Sequence, residues 1–192
     1  MNYRATKGPV AAEAFPFAMP LGALAITAFA LDWDIFGVLI MMALVFVLAF
    51  FRNPERYHKS SPGVVLSGAD GKVVAAGLVS NDDFPGGQCL RIAIFMSVFD
   101  CHINWAPVSG KVLTAVHYQG CFINAMHDKC ADENERKIIV MEAEGGHRVE
   151  VKLVAGLVAR RIVSPIEKGD TIAQGEKIGL IRFGSRVEIL IP

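Results

Sequence analysis

The sequence predicts a mainly β protein: a compact antiparallel β sandwich or barrel-like domain, preceded by a membrane-embedded helical hairpin. Three observations support this fold class. Two long apolar runs lie near the N-terminus, short apolar runs separated by turn residues follow them, and two evenly spaced Gly turns lie near the C-terminus. We therefore divide the chain into a hairpin, residues 1–51, and a β-rich domain, residues 52–192, which has a normal size for a single core.

The N-terminal apolar runs predict two helices in a membrane. Residues 14–31 and 35–51 carry no charged side chain, and only Asp32-Trp33-Asp34 separates them. A helix of 17 residues reaches about 25 Å, slightly less than a hydrocarbon core of about 30 Å. The hairpin is therefore expected either to just span the hydrocarbon core or to enter it from one face without crossing it. A signal peptide fits less well because it has a single apolar run, and a buried hairpin of a soluble protein is the remaining alternative.

The charges around the hairpin predict its orientation. Both outer flanks are basic, whereas the connecting turn is acidic. Basic residues beside apolar segments favour the cytoplasmic side of a membrane. We therefore expect the β-rich domain at the cytoplasmic face of the cell (inner) membrane. The flanking basic residues are Arg4, Lys7, Arg52, Arg56 and Lys59.

From residue 52 onward, short apolar runs alternate with turn signals, which is typical of antiparallel strands. The predicted strands are Lys72–Ala76, Leu78-Val79, Leu90–Met96, Val112–Val116, Ile138–Met141 and Val149–Val154. The polar segment Cys121–Arg136 is expected to be a loop with a helical turn. Gly169-Asp170 and Gly175-Glu176 are predicted turns, and their spacing also resembles the hairpins of lipoyl and biotinyl carrier domains.

Composition argues against two kinds of binding. The 19 basic and 19 acidic side chains balance, and no basic stripe marks a nucleic-acid surface. The cysteines, Cys89, Cys101, Cys121 and Cys130, form no C-x-x-C pair, as expected of reduced cytoplasmic thiols. His127 and Cys130 alone do not make a zinc site. We predict neither a nucleic-acid partner nor a metal site.

A Gly-Ser pair interrupts the last apolar run, IRFGSRVEILIP, residues 181–192. An isolated glycine in a strand usually marks a bulge or a bend. The pair also permits chemistry, because the Ser185 hydroxyl can attack the Gly184 carbonyl and convert the amide into an ester. Elimination then cuts the chain and leaves a group that hydrolyses to a pyruvoyl ketone, an electrophile for substrate amines. Glycine before the serine leaves the attacked carbonyl uncrowded.

The serine hydroxyl needs a base, and the chain offers two partners for it. His102 follows an apolar strand and lies where a turn begins, although a lone histidine is often only structural. Asp70, in SGADGKV, can orient an imidazole, but Asp-Gly is also the preferred sequence of a type I′ hairpin turn.

Six blocks of the sequence occur in the same order and spacing as in the phosphatidylserine decarboxylases, and the chain resembles the short archaeal-type branch of that family. The blocks are FFRNPER (50–56), SGADGKV (67–73), FMSVFDCHINWAPVSG (95–110), YQGCFINA (118–125), ENERK (133–137) and IRFGSRVEI (181–189). The resemblance implies an enzyme that cuts itself between residues 184 and 185. It would then convert phosphatidylserine to phosphatidylethanolamine and carbon dioxide with a pyruvoyl group.

The resemblance also implies roles for individual residues. Ser185 is expected to become the pyruvoyl group, with Asp70 and His102 activating its hydroxyl. After maturation, His102 is expected to protonate the decarboxylated carbanion. Asn124 and the block Asn134-Glu135-Arg136 match a family segment near the substrate. The implied partners are phosphatidylserine in the membrane, the enzyme's own large and small subunits, and a second copy in a homodimer.

Two features depart from the family pattern. Many members have a second histidine three residues after the first, where this chain has Trp105, so His102 is expected to serve both maturation and turnover. Family chains usually continue some tens of residues beyond the serine. A small subunit of Ser185–Pro192 is therefore short, and we expect a truncated chain or strands supplied from elsewhere.

Two other functions are compatible with the residues. One is a membrane-anchored lipoyl- or biotinyl-like carrier or adaptor domain without catalysis, whose modifiable lysine would be Lys72. The other is a pyruvoyl decarboxylase of a soluble amino acid, which would not need two apolar segments. Intact mass separates the carrier, which remains one chain, from both decarboxylases, which become two.

Overall fold

The computed structural model describes residues 8–57, 63–126, 129–157, 161–182 and 184–192. The chain divides into two compact units, Met1–Glu55 and Arg56–Pro192. Four residues that the sequence analysis singled out lie outside the described residues: Arg4, Lys7, Lys59 and His127.

The first unit is a helical hairpin. Its helices are α1 (Phe15–Ala30) and α2 (Asp34–Phe50). They approach closely at Gly37, where an added Cβ would lie 2.6 Å from the Phe29 ring. Asp32 reverses the chain between them with a φ of 58°, a left-handed conformation that aspartate tolerates better than most residues. The apolar side chains of both helices are mostly exposed, as expected of surfaces that face lipid.

The hairpin supports membrane association of the chain. Among the described residues, Ala12–Ala30 is the one helix long and apolar enough to cross a membrane, by length and composition. Only 17% of its apolar window is buried, whereas the core helix of a soluble unit is mostly buried. The second helix has 17 residues and falls short of the same criterion. Whether the hairpin spans or dips therefore remains a prediction.

The second unit is mainly antiparallel β, which confirms the predicted fold class. Its strands are β1 (Lys72–Ser80), β2 (Gln88–Met96), β3 (Ile103–Trp105), β4 (Gly110–Tyr118), β5 (Arg136–Ala143), β6 (Arg148–Ala155), β7 (Ile162–Val163), β8 (Thr171–Ile172), β9 (Lys177–Ile181) and β10 (Ser185–Ile191). A short helix, α3 (Cys130–Glu133), supplies the helical turn predicted between residues 121 and 136.

The strands form two sheets. One has the order β1-β2-β10-β6-β5-β4-β8 and the other β3-β9-β7, and every described ladder is antiparallel. The core lies where side chains of the small sheet, such as Ile178 and Ile181, meet those of the large one, such as Leu153 and Val187. A Cβ on Gly179 would lie 2.9 Å from Leu153 Cδ1, so the layers are in direct contact.

The C-terminal turns match the prediction. Gly169 and Gly175 have positive φ, and the Asp170 and Glu176 carboxylates accept hydrogen bonds from the backbone three residues earlier. The comparison with lipoyl or biotinyl hairpins is not confirmed. Lys72, the lysine that a carrier would present at a hairpin tip, instead begins β1 and pairs with Phe95.

Two local predictions are corrected. The break expected between residues 76 and 78 is absent, because Gly77 pairs with Arg91 inside one continuous β1. Asp70-Gly71 does not close a hairpin. The segment before it bonds to the start of the small sheet, with the Trp105 amide donating to the Gly68 carbonyl, whereas the segment after it pairs with β2.

Candidate active site

Ser185 begins β10, which is a central strand of the large sheet. It pairs with Met96 of β2 on one side and with Ala155 of β6 on the other. The side chain is fully buried, and its hydroxyl donates to the Met96 thioether at 3.4 Å. Because a thioether is a weak acceptor, this hydroxyl is held without a strong hydrogen bond.

Gly184 adopts a left-handed conformation, with a φ of 65°. An added Cβ would meet nothing within 4 Å outside its chain neighbours. The backbone conformation therefore requires glycine here, rather than a lack of space. The Gly184 carbonyl instead crowds Gly156, where an added Cβ would lie 3.1 Å from the carbonyl carbon. Two glycines thus shape the bond that is predicted to be cut.

His102 reaches the same bond from the small sheet. It directly precedes β3, and its carbonyl accepts a hydrogen bond from the Ile181 amide of β9. The imidazole is fully buried. Its Nδ1 lies 3.0 Å from the Asp100 carbonyl, and its Nε2 lies 3.3 Å from the Gly184 amide nitrogen. The first contact needs a proton on Nδ1, so Nε2 carries the lone pair and accepts the hydrogen bond from the Gly184 amide.

Asp70 lies at the same end of the large sheet, beside the end of β2. Its carboxylate pairs with the Arg56 guanidinium, which also lies 5.1 Å over the Trp105 ring. The described contacts of Asp70 do not include the His102 imidazole. The structure therefore brings His102 to the Gly-Ser bond but leaves Asp70 engaged with Arg56.

Asn134 holds the polar loop against the site. Its Oδ1 accepts from the Ile123 amide, and its Nδ2 donates to the carbonyls of Ile123 and Ala155. Because Ala155 is the residue opposite Ser185, this buried amide links the loop directly to the site.

The other residues of the predicted substrate segment are placed differently. Glu135 is buried, and its carboxylate lies 3.1 Å from His117 Nε2. Asn124 is exposed, and its Oδ1 accepts from the Met126 amide. The Arg136 guanidinium lies 4.7 Å over the Tyr118 ring. Asn124 and Arg136 are therefore the accessible members of this set.

Asn104 is a site residue that the sequence analysis missed. It is fully buried, and its Nδ2 lies 3.6 Å from the Met96 sulfur, the same atom that the Ser185 hydroxyl contacts. Its Oδ1 has no hydrogen-bond partner among the described residues. Leaving a buried acceptor unsatisfied costs about 1–3 kcal/mol, and such groups are concentrated at functional sites. The sequence could have identified Asn104 as a polar side chain within a short buried strand, two residues after His102.

Charged groups lie on the other face of β10. Arg186 is fully buried, with its Nη2 2.7 Å from Glu188 Oε1, and Lys152 of β6 approaches the same carboxylate. Burial raises the pKa of the neighbouring Glu150 carboxyl. Among the described residues, no cluster of three or more His, Cys, Asp or Glu is placed to hold a metal ion.

Comparison with known proteins identifies the family of the chain. The family model described as phosphatidylserine decarboxylase matches residues 43–192. Proteins named phosphatidylserine decarboxylase proenzyme are similar over most of their length. The one from Desulfotalea psychrophila is 40% identical over 96% of this chain and 86% of its own. The one from Symbiobacterium thermophilum is 44% identical over 95% and 85%. The chain belongs to the phosphatidylserine decarboxylase family.

Proposed function

We propose that this chain is a proenzyme that cuts itself between Gly184 and Ser185 and then decarboxylates phosphatidylserine to phosphatidylethanolamine. The observation that carries the proposal is the position of the Gly-Ser bond. It lies at the buried start of a central strand, with an imidazole nitrogen 3.3 Å from the Gly184 amide. A serine that served only as a bend would need neither burial nor this neighbour.

His102 is the proposed base for maturation. Its Nε2 accepts a hydrogen bond from the Gly184 amide, one residue from the hydroxyl that must lose a proton. Breaking that hydrogen bond would free the lone pair to take the proton. A rotation of the Ser185 side chain away from the weak Met96 acceptor would place the hydroxyl between the imidazole and the Gly184 carbonyl. The hydroxyl oxygen then bonds to the carbonyl carbon, the C–N bond breaks, and the freed nitrogen takes up a proton, which leaves an ester. Loss of the α-proton of residue 185 would then break the Cβ–O bond of this ester, which cuts the chain and leaves dehydroalanine. Water would convert the dehydroalanine into the pyruvoyl group with release of ammonia. Asp70 would assist only after leaving Arg56.

The residues around Ser185 fit the pyruvoyl group that the family implies. That group supplies an electrophilic ketone that accepts a substrate amine and withdraws electrons from its α-carbon. Asn104 has a buried amide oxygen without a partner beside this position. Its amide would hold polar atoms of residue 185 or of the bound substrate. His102 would return a proton to the α-carbon after carbon dioxide leaves.

The polar loop would bind the headgroup. Asn124 and Arg136 are the accessible residues of the predicted set and would contact the substrate directly. Asn134 and Glu135 would act by holding the loop, because their polar atoms already engage the backbone and His117. Each of these roles is tested by a change in KM rather than in cleavage.

The piece after the cut would remain in the fold. Ser185–Ile191 is hydrogen-bonded to β2 on one side and to β6 on the other. It is also fixed by the buried Arg186–Glu188 pair. The segment that follows the cut would therefore be held by two ladders and would stay with the rest of the chain.

The apolar hairpin would anchor the enzyme at the cytoplasmic face of the cell membrane. The substrate is a diacyl lipid that stays in the bilayer, so an anchored enzyme meets it at a high effective concentration. We also propose a homodimer, which mass measurement in detergent would test.

The decisive experiment is Ser185→Ala. The wild-type chain should appear as two pieces by intact mass, with a blocked new N-terminus on the smaller piece, and should release carbon dioxide from phosphatidylserine. The Ser185→Ala chain should remain whole and inactive while unfolding at a similar temperature. A cut and active Ser185→Ala chain would rule out self-processing at this bond. A whole wild-type chain carrying a modified Lys72 would indicate the carrier function instead.

A further inference from the structure

Three large apolar side chains of the second unit stand in solvent beside the candidate active site. Phe99 is 77% exposed, Leu157 is 64% exposed and Met126 is 59% exposed. We call these three residues the apolar rim. Leu78, which is 73% exposed, lies away from the site because it pairs with Leu90, toward the far end of β2 from Met96.

Each rim residue is fixed next to an atom of the site. Leu157 follows Gly156, which lies against the Gly184 carbonyl. Met126 follows the buried Ala125, whose Cβ would lie 3.1 Å from a Cβ on Gly156. These two rim residues therefore directly follow residues that pack near the Gly184 carbonyl.

Phe99 is presented by a well-defined turn. The Asp100 carboxylate accepts hydrogen bonds at 2.7 Å from both the amide and the hydroxyl of Ser97. The Asp100 amide closes the same turn on the Ser97 carbonyl. This turn joins Met96, which contacts Ser185, to His102. The exposure of Phe99 is thus a consequence of the turn that positions the imidazole.

Two arginines lie in the strand-end segments that meet just before the Gly-Ser bond. Arg182 precedes the Gly-Ser bond by two residues, and its amide donates to the carbonyl of the exposed Arg161. The Asp70 carboxylate is paired with Arg56, and the Asp100 carboxylate accepts hydrogen bonds from Ser97 while keeping its charge. Apolar side chains flanked by arginines suit an anionic phospholipid surface, where the apolar groups enter the acyl boundary and the cations meet the headgroups.

We propose that the apolar rim of Phe99, Met126 and Leu157 inserts into the interface of a phospholipid bilayer and brings the buried residue 185 to the lipid headgroup. This inference rests on the proposed function, since the substrate is a lipid that does not leave the membrane. It assigns the catalytic unit a membrane contact of its own, separate from anchoring by the hairpin.

The test compares one substrate headgroup in two physical forms. Full-length mature enzyme would be assayed on vesicles of phosphatidylserine and phosphatidylcholine, and on a short-chain phosphatidylserine that is monomeric in solution. We expect the Phe99→Ser/Met126→Ser/Leu157→Ser variant to lose at least about tenfold in kcat/KM on vesicles, because each exposed apolar side chain contributes to interfacial binding. On the monomeric substrate it should remain within about twofold of wild type. Leu78→Ser, the matched control, should behave as wild type on both.

Three outcomes would overturn the inference, and a fourth would contradict the function on which it rests. Wild-type activity of the rim variant on vesicles would show that the rim does not dock. An equal loss on both substrates would place the rim in the catalytic machinery, and loss of a dimer in detergent would make it a subunit contact. Failure of the wild-type enzyme on both substrates would instead contradict the proposed function.

A spectroscopic measurement tests the contact without turnover. In a Trp33→Phe background, bromine-labelled phospholipids should quench the tryptophan fluorescence of the Phe99→Trp variant more strongly than that of the Leu78→Trp variant. The remaining tryptophan, Trp105, is buried and supplies a common background. Equal quenching at positions 99 and 78 would contradict insertion of the rim.

Discussion

Gly156→Ala is the substitution that most directly tests the geometry of self-cleavage. The added Cβ would lie 3.1 Å from the Gly184 carbonyl carbon and closer still to its oxygen. An ordinary contact between carbon atoms is about 3.5 Å or longer. The carbonyl must therefore move by roughly half an ångström or more, away from the position in which the Ser185 hydroxyl attacks it.

The expected effect on cleavage follows from that displacement. A misplacement of about 1 Å at a reacting centre costs about a hundredfold in rate. We therefore expect Gly156→Ala to slow self-cleavage by between about tenfold and about a hundredfold. Overpacking should also lower the free energy of unfolding by about 1–3 kcal/mol, which would leave most of the chain folded if its stability is typical.

The assay separates these two effects. Cleavage is followed by gel mobility and intact mass after synthesis, and unfolding is measured in a Ser185→Ala background, so that every chain is whole. Gly77→Ala is the matched control, because Gly77 lies in β1 and an added Cβ there meets nothing within 4 Å. It should cleave at the wild-type rate. A folded Gly156→Ala protein that also cleaves at the wild-type rate would refute the role of this close approach.

Three further substitutions test other parts of the site. Asp70→Asn should slow cleavage, whereas Arg56→Gln, which releases the Asp70 carboxylate, should not. If a folded Asp70→Asn chain is cleaved at the wild-type rate, Asp70 has no role in maturation and serves only to pair with Arg56. Asn104→Leu replaces the buried amide by an apolar side chain of similar volume, so the variant should fold at least as stably as wild type. It should lose about tenfold or more in kcat on monomeric substrate. If the variant is shown by gel to be cleaved and still has the wild-type kcat, Asn104 has no role in the site. Glu150→Gln tests the electrostatics of the sheet. Because burial raises the pKa of Glu150, the folded state retains this proton to higher pH than the unfolded chain does. That contribution to stability is present below the ordinary pKa and is lost as pH rises through the raised value. Urea unfolding should therefore show Glu150→Gln gaining stability relative to wild type between pH 4.5 and 7.5, and a constant difference across that range would contradict the assignment.

The sequence by itself determined the local structure and the family. Strands, turns and apolar helices depend on the spacing of side chains a few residues apart, and these patterns are visible in the printed chain. Gly169 and Gly175 mark turns because their left-handed backbone conformations favour glycine. Ser185 and His102 were identified because they lie within ordered blocks that the family shares.

Only the tertiary structure decided which residues meet. β10 lies between β2 and β6, a non-local pairing that no short pattern encodes, so the contact between Ser185 and Met96 joins residues far apart in the chain. The same pairing places Gly156 against the Gly184 carbonyl, and the packing of the small sheet on the large one places Asn104 beside the Met96 sulfur. Asp70 illustrates the converse. The sequence predicted a hairpin turn here, which is wrong, and the resemblance implied a role in maturation, which stays a prediction. The partnership of Asp70 with Arg56 depends on a side-chain contact that forms only in the folded domain.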